Sequence, residues 1–164
     1  IAHRNGATKW LSGSDDFIGV AEQNGAKLAE AASVSPPVNV RTHRGFVFEG
    51  KNIDEVQEIY KVGAKTDMQI SSFSTDSAIG RDFARIGNVE SGNTSVVLEI
   101  EPGAKGLNIS PISNYLDEKE RIFHGRFEVV SVEQTTWLNH MTGISSPYVN
   151  VRMRQINNFV REAR

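Results

Sequence analysis

The sequence predicts a single domain that mixes helices with a strong content of β-structure, and three observations carry that reading. Thr94-Ser95-Val96-Val97-Leu98-Glu99-Ile100 is a run dominated by β-branched and apolar residues, while Val38 to Phe48 and Val149 to Met153 alternate in the period of a strand. Elsewhere apolar residues recur at helical spacing, as at Ile79, Phe83 and Ile86. The chain's 164 residues contain no internal repeat, low-complexity tract or linker, which fits one domain large enough for a real core.

Taken in order, Ser14-Asp15-Asp16 can cap a helix through Phe17, Val20, Ala21, Leu28 and Ala29. Gly19 and Gly25 weaken it by about 1 kcal/mol each relative to alanine, and Ser35-Pro36-Pro37 ends it. Val38 to Phe48 follows as a strand that turns at Glu49-Gly50. Asn52 and Glu55 have the spacing of a helix start, with Ile53, Val56, Ile59 and Tyr60 on one face. A further helix begins near Thr75 or Asp76, and the clear strand Thr94–Ile100 comes next. Pro102-Gly103 and Gly106 make Lys105 to Asp117 a loop, which carries Tyr115. Arg126 to Val132 reads as a strand. Val149, Val151 and Met153 alternate with Asn150, Arg152 and Arg154 in a final strand that leads to a short basic tail.

Composition narrows the function classes. With 18 basic against 20 acidic side chains the net charge is −2, so no general attraction to nucleic acid or an anionic membrane is expected. There is no cysteine and only 4 histidines, so disulfides and thiolate chemistry are excluded and nothing resembles a zinc site; no metal is expected. No apolar stretch approaches the roughly 18 to 20 residues that span a bilayer, and no signal-peptide pattern is visible. The first residue is Ile1, which reads as a processed product or a segment of a longer protein. A glycine-rich phosphate loop is missing, so a dinucleotide would not be held in a Rossmann manner.

The most informative local feature is the pair Glu118 and Glu120 in Tyr115-Leu116-Asp117-Glu118-Lys119-Glu120-Arg121. If this segment enters the strand that follows, residues i and i+2 share a face and two carboxylates share one small site. Like charges side by side are unfavourable, so a cation, a polar substrate or a catalytic role would have to offset the repulsion. A solvated charge run in a loop is the plain alternative.

Three segments then belong together: Arg44-Gly45 on a strand, Ser74-Thr75-Asp76 opening a helix, and Glu118-Lys119-Glu120. Each is weak alone. In this order, with Val-Val-Leu-Glu-Ile and Pro-Gly between them and Gly-Arg-Phe-Glu-Val-Val just after, the chain resembles the arginine–serine–glutamate type of ADP-ribosyltransferase, a family of bacterial toxins and effectors and bacteriophage enzymes. The resemblance spans about Val38 to Val132. One position departs from the family pattern, since Asp76 stands where its motif has a second serine; a short acceptor there suits a helix cap.

The resemblance implies an α+β fold, a split β-sandwich of two packed, mostly antiparallel sheets with flanking N-terminal helices and a cleft for NAD. It implies NAD as co-substrate and a target protein with an acceptor arginine as partner, met in the cytoplasm of a target or host cell after secretion, injection or phage delivery. Cleavage of the bond between nicotinamide and ribose develops an oxocarbenium-like charge, related to that of glycoside hydrolysis. The family assigns its stabilisation to Glu120, whose rotamer Ser74 would fix by a hydrogen bond. Arg44 suits the pyrophosphate or ribose of NAD, and Gly45, without a side chain, would let the backbone approach the nicotinamide amide. Glu118 would engage the acceptor guanidinium, and Tyr115 sits where family members use an aromatic residue to recognise the target. Arg41 is the less favoured ligand, and His43 and His124 receive no role. The alternatives are an NAD glycohydrolase with water as acceptor and a catalytically silent binding or structural module; a glycosidase fits least, because same-face carboxylates poorly match opposed placement across a sugar ring.

Overall fold

A computed structural model describes Lys27, residues 30–32, residues 34–108 and residues 120–157, the side chains of residues 69, 70, 108 and 157 excepted. Its elements are β1 (Thr42–Phe48), α1 (Ile53–Ile59), β2 (Lys65–Ser74), α2 (Ser77–Ala84), β3 (Thr94–Ile100), β4 (Gly106–Asn108), β5 (Glu120–Asn139) and β6 (Ile144–Asn157). The fold is sheet-rich α+β. The strand order is β2-β1-β3-β6-β5-β4, and β2 also pairs with β5, so five of the strands form a ring. All pairs are antiparallel except β3 with β6.

The ring is pinched into two packed sheets by the behaviour of β5. Its first part pairs with β2 and its second with β6, and the register slips between Arg126 and Phe127 and again between Val129 and Ser131, where the strand bends from one sheet to the other. Between the sheets lies the core. Phe73 and Phe123 meet edge to face at 5.6 Å, Phe123 and Phe127 at 6.2 Å, and around them pack Val96, Leu98 and Ile100 of β3 and Val149, Val151 and Met153 of β6. The alternation legible in β3 and β6 is this inward set, each residue opposite a polar or outward neighbour.

Local chemistry sets the element ends. Asn52 and Glu55 form a reciprocal capping box at the start of α1, as their spacing predicts. Asp76 caps α2, its carboxylate accepting from the Ala78 N–H at 2.9 Å. Helix α2 stops at Ala84 because Arg85 turns left-handed at φ 52°, so Ile86 lies beyond it rather than on its third turn. Strand β1 begins at Thr42, later than the alternation from Val38 suggests; upstream, Pro37 makes an isolated bridge to Lys105. Two strands were not expected from the sequence. Residues Lys65–Ser74 form β2, and Gly106–Asn108, inside the expected loop, pair as β4 with β5. Strand β5 also runs past Val132 to Asn139 and turns back into β6. Of the long N-terminal helix, Lys27, Glu30 to Ala32 and Val34 are helical, and the remainder lies outside the described residues.

Helix α2 lies on the outer face of β1 at unusually close range. A Cβ at Gly45 would stand 1.7 Å from the Gly80 carbonyl oxygen and 2.5 Å from the Ala84 nitrogen, and one at Gly80 would stand 2.8 Å from the His43 Cβ. Helix and strand therefore touch backbone to backbone through a pair of glycines. Gly45→Ala is expected to destabilise the fold by about 3 kcal/mol, at the upper end for overpacking a closed contact, whereas Gly50→Ala, in an open turn with nothing within 4 Å, should cost about 1 kcal/mol for its positive φ; urea denaturation of the two variants measures the difference.

Candidate active site

The site is assembled where β1 and β2 part company. Glu120, the first residue of β5, is directly opposite Ser74, the last residue of β2, and Ser74 is directly opposite His43 on β1. Directly opposed residues point to the same face with Cβ atoms about 4.5–5.5 Å apart. The imidazole, hydroxyl and carboxylate thus stand in one lateral row. Glu120 is only 2 % exposed and Ser74 5 %. Arg44, next along β1, turns to the other side, and its guanidinium donates across the gap to the Ser72 carbonyl at 3.3 Å. Arg44, Ser74 and Glu120 line one open-sided recess with about 220 Å³ of space, together with His43 and, from α2, Ile79 and Phe83.

Ser74 is held from the helix side. Its hydroxyl oxygen accepts the Asp76 N–H at 3.0 Å, so the turn that caps α2 also fixes the hydroxyl. A hydroxyl that accepts one bond still has its own proton to give, and across the ladder stands Glu120. The residue that departs from the family motif therefore serves as a cap and, through its backbone, as an anchor for the serine.

Behind His43 sits a charged cluster. Glu99 on β3 is directly opposite His43, and Arg152 on β6 is directly opposite Glu99. The Glu99 carboxylate lies 3.2 Å from the Arg152 Nε, 3.8 Å from the Arg41 Nε and 3.6 Å from the His43 Nδ1. Burial pushes the Glu99 carboxyl up, but contact with His43 and Arg152 outweighs it and holds the group below the ordinary glutamate range. Arg41 thus belongs to this cluster and Arg44 to the recess, the division that their three-residue spacing on a strand predicts.

His124, given no role from the sequence, is 7 % exposed, and burial lowers its affinity for a proton. Tyr60, at the end of α1, packs edge to face on Phe48 at 6.5 Å; burial raises its phenol, and the nearby Arg44 charge partly counters that. Sequence reasoning missed His43 as a member of the recess. A signal existed, its adjacency to Arg44 on an alternating strand. Gly45 borders Arg44, but the place of its missing side chain is filled by α2, a packing requirement that holds with or without a ligand. Glu118 and Tyr115 lie outside the described residues. Among the described residues no group of three or more His, Asp or Glu side chains could hold a metal ion.

No family model matches the sequence, and no curated protein does either. Solved structures do match. Vis, an ADP-ribosyltransferase toxin from Vibrio splendidus solved in complex with agmatine, superposes with a TM-score of 0.63 at 16 % identity, over 96 % of this chain and 70 % of that one. The chain has the ADP-ribosyltransferase fold. Plx2a, an ADP-ribosyltransferase toxin from Paenibacillus larvae, gives a TM-score of 0.59 at 16 % identity over 95 % of this chain and 82 % of its own. Exoenzyme S from Pseudomonas aeruginosa, solved with human 14-3-3 protein beta and bound to carba-NAD, gives 0.55 at 17 % identity over 93 % and 67 %. At these identities the likeness fixes the architecture and leaves the chemistry to the residues of the recess.

The Glu99 cluster has a measurable pH signature. A carboxyl whose folded-state value is depressed contributes stability that is fully present above its ordinary value, 4.5, and is lost as pH falls through the folded value. Glu99→Gln should therefore destabilise the protein at neutral pH and lose that effect progressively as the pH falls below about 4.5. Urea denaturation of both proteins across that range checks it, and a difference independent of pH would mean the carboxylate is not what stabilises.

Proposed function

We propose that the protein is a mono-ADP-ribosyltransferase that moves ADP-ribose from NAD to an arginine side chain of a target protein and releases nicotinamide. The carrying observation is that Arg44, Ser74 and Glu120, from strands far apart in sequence, line one recess in a chain with this fold. The agmatine in Vis and the carba-NAD in Exoenzyme S favour an arginine-like acceptor and an NAD donor here as well.

The chemistry follows from the residue types. The recess is open-sided and does not enclose a ligand, so only part of a dinucleotide would be held against it. It suits the nicotinamide-ribose end of NAD, with the pyrophosphate outside against Arg44, whose planar charge matches phosphate oxygens. The amide of nicotinamide would pair with the backbone beside Gly45 on the edge of β1 that β2 leaves open. As the glycosidic bond lengthens, nicotinamide departs with the bonding electron pair and the ribose carbon gains oxocarbenium character; the Glu120 carboxylate faces that charge and takes the 2'-hydroxyl as a hydrogen-bond donor. The acceptor guanidinium nitrogen then bonds to the same carbon and its proton passes to Glu118. Tyr115 would meet the surface of the target around that arginine.

Three experiments test this reading. Glu120→Ala should lower nicotinamide release by about 10² or more, the scale for removing a main electrostatic group, with a melting temperature close to that of the parent; near-normal turnover would sink the assignment. Arg44→Ala should weaken NAD binding in a calorimetric titration. Glu118→Gln keeps the side-chain shape and loses the charge that engages a guanidinium, so ADP-ribosylation of agmatine should collapse while NAD hydrolysis survives. Parallel loss of both activities would mean that Glu118 serves bond cleavage, and loss of neither would mean that the acceptor is not arginine; hydrolysis without transfer in the parent protein would make it an NAD glycohydrolase.

A further inference from the structure

Among the polar residues that line the recess, Ser72 carries a hydroxyl that makes no bond. It lies two residues before Ser74 on β2, so it turns to the face that carries Ser74 and Glu120, and it is 3 % exposed. Its carbonyl accepts from the Arg44 guanidinium at 3.3 Å, but its hydroxyl has no hydrogen-bond partner among the described residues. Ser74 differs, since the Asp76 N–H holds its hydroxyl. A sheltered, unpaired hydroxyl is costly to keep, and in the free protein it is left to water entering from the open side.

We infer that the Ser72 hydroxyl binds the carboxamide of nicotinamide by donating to the amide oxygen. This rests on the reading of the recess as an ADP-ribosyltransferase site. The antiparallel junction His43↔Ser74 brings Gly45 and Ser72 to the same level on the two sides of the gap between β1 and β2. That is the level at which the amide would meet the backbone beside Gly45. Two residues of strand cover about 6.8 Å, so Ser72 stands away from the carboxylate that faces the ribose by the scale that separates a glycosidic carbon from an amide on the far side of its ring. Glu120 and Ser72 thus address the two ends of one nicotinamide riboside.

The surroundings fit a flat aromatic amide better than a sugar or a phosphate. Directly opposite Ser72 on β5 is Ile122, fully buried, and helix α2 contributes Ile79 and Phe83 to the recess. Apolar neighbours around a single unpaired hydroxyl suit a ring that carries one polar group. A ribose or pyrophosphate at the same place would leave several oxygens against these side chains without partners. The Arg44 guanidinium, which can only donate, leaves the serine proton for the ligand.

The test compares two ligands by calorimetric titration: carba-NAD, which carries the nicotinamide, and ADP-ribose, which lacks it. Ser72→Ala should weaken carba-NAD about 5-fold, the size of one neutral hydrogen bond, and leave ADP-ribose within about 1.5-fold of the parent. Its melting temperature should stay close to the parent's, because the hydroxyl holds nothing in the free protein. Nicotinamide alone, tested as an inhibitor of NAD cleavage, should lose potency by the same factor as carba-NAD. Ser72→Cys, close in size and a much poorer hydrogen-bonding group, should give the same pattern and serves if the alanine variant fails to fold. Unchanged carba-NAD affinity, or equal weakening of carba-NAD and ADP-ribose, would overturn the inference while leaving the transferase reading intact. A cysteine variant that melts well below the parent would assign the hydroxyl to the fold and overturn it as well. A parent protein that binds neither ligand would remove the transferase reading and this inference with it.

Discussion

The arrangement depends on an incomplete strand pairing. Strand β1 is matched to β3 along its whole length, Thr42 through Phe48 against Ile100 through Thr94, but to β2 at His43↔Ser74. Strand β2 is committed to β5 instead. Past that junction no further register pair joins β1 and β2 among the described residues, and the Arg44 guanidinium reaches across to donate to the Ser72 carbonyl. A fully zipped sheet would have stable edges and no cleft; the recess exists because two strands that meet at one end are held apart at the other.

That opening is kept in shape by the element laid against it. Helix α2 starts directly after Ser74, so the chain that delivers the serine also delivers the cap, through the Asp76 N–H and carboxylate. The helix is then drawn onto β1 until Gly80 and Gly45 touch, and Ser95 on β3 closes its far end by donating to the Ala84 carbonyl at 2.6 Å. Serine, helix and strand become one rigid unit. On the other side the Phe73, Phe123 and Phe127 stack fixes β2 against β5, which holds Glu120 opposite Ser74. The geometry of the recess is thus set by packing remote from it.

Much of this was legible in residues that follow local rules. The capping box of α1, the apolar period of β3 and β6, and the face of β1 that carries Arg44 all rest on interactions within a few residues or on strict alternation, and those were read correctly. Strand β2 escaped because Lys65-Thr66-Asp67-Met68 alternates weakly and its partner lies on β5, 46 to 63 positions away. Its identity is conferred by pairing and not by propensity. The tiny β4 was hidden by Gly106, whose missing side chain reads as loop punctuation but in fact leaves room for the Phe123 ring, 2.6 Å from where a Cβ would be. Gly45 was legible as a close approach, although the approaching group is a helix. The alignment of Arg152, Glu99, His43, Ser74 and Glu120 could not be read from sequence at all, since it needs the register of four separate strand pairs.

Net charge describes the whole chain and not the neighbourhood of the recess. At −2 the chain has no general attraction to nucleic acid or an anionic membrane, yet the face around the recess gathers cations locally: Arg41 and Arg152 converge on Glu99, and Arg44 stands at the mouth. Mobile ions screen exposed charges over about 8–10 Å at physiological salt, so an anionic group brought to the cleft would sense this neighbourhood and hardly sense the acidic residues elsewhere. Glu99 is what lets the cations crowd together. Without it, positive groups on neighbouring strands would repel one another across β1, β3 and β6; with it, they are held as a cluster whose outer members still present charge to solvent. The same carboxylate that organises the cations also lies 3.6 Å from the His43 Nδ1, so a single residue of β3 ties the arginine cluster to the strand row that holds Ser74 and Glu120.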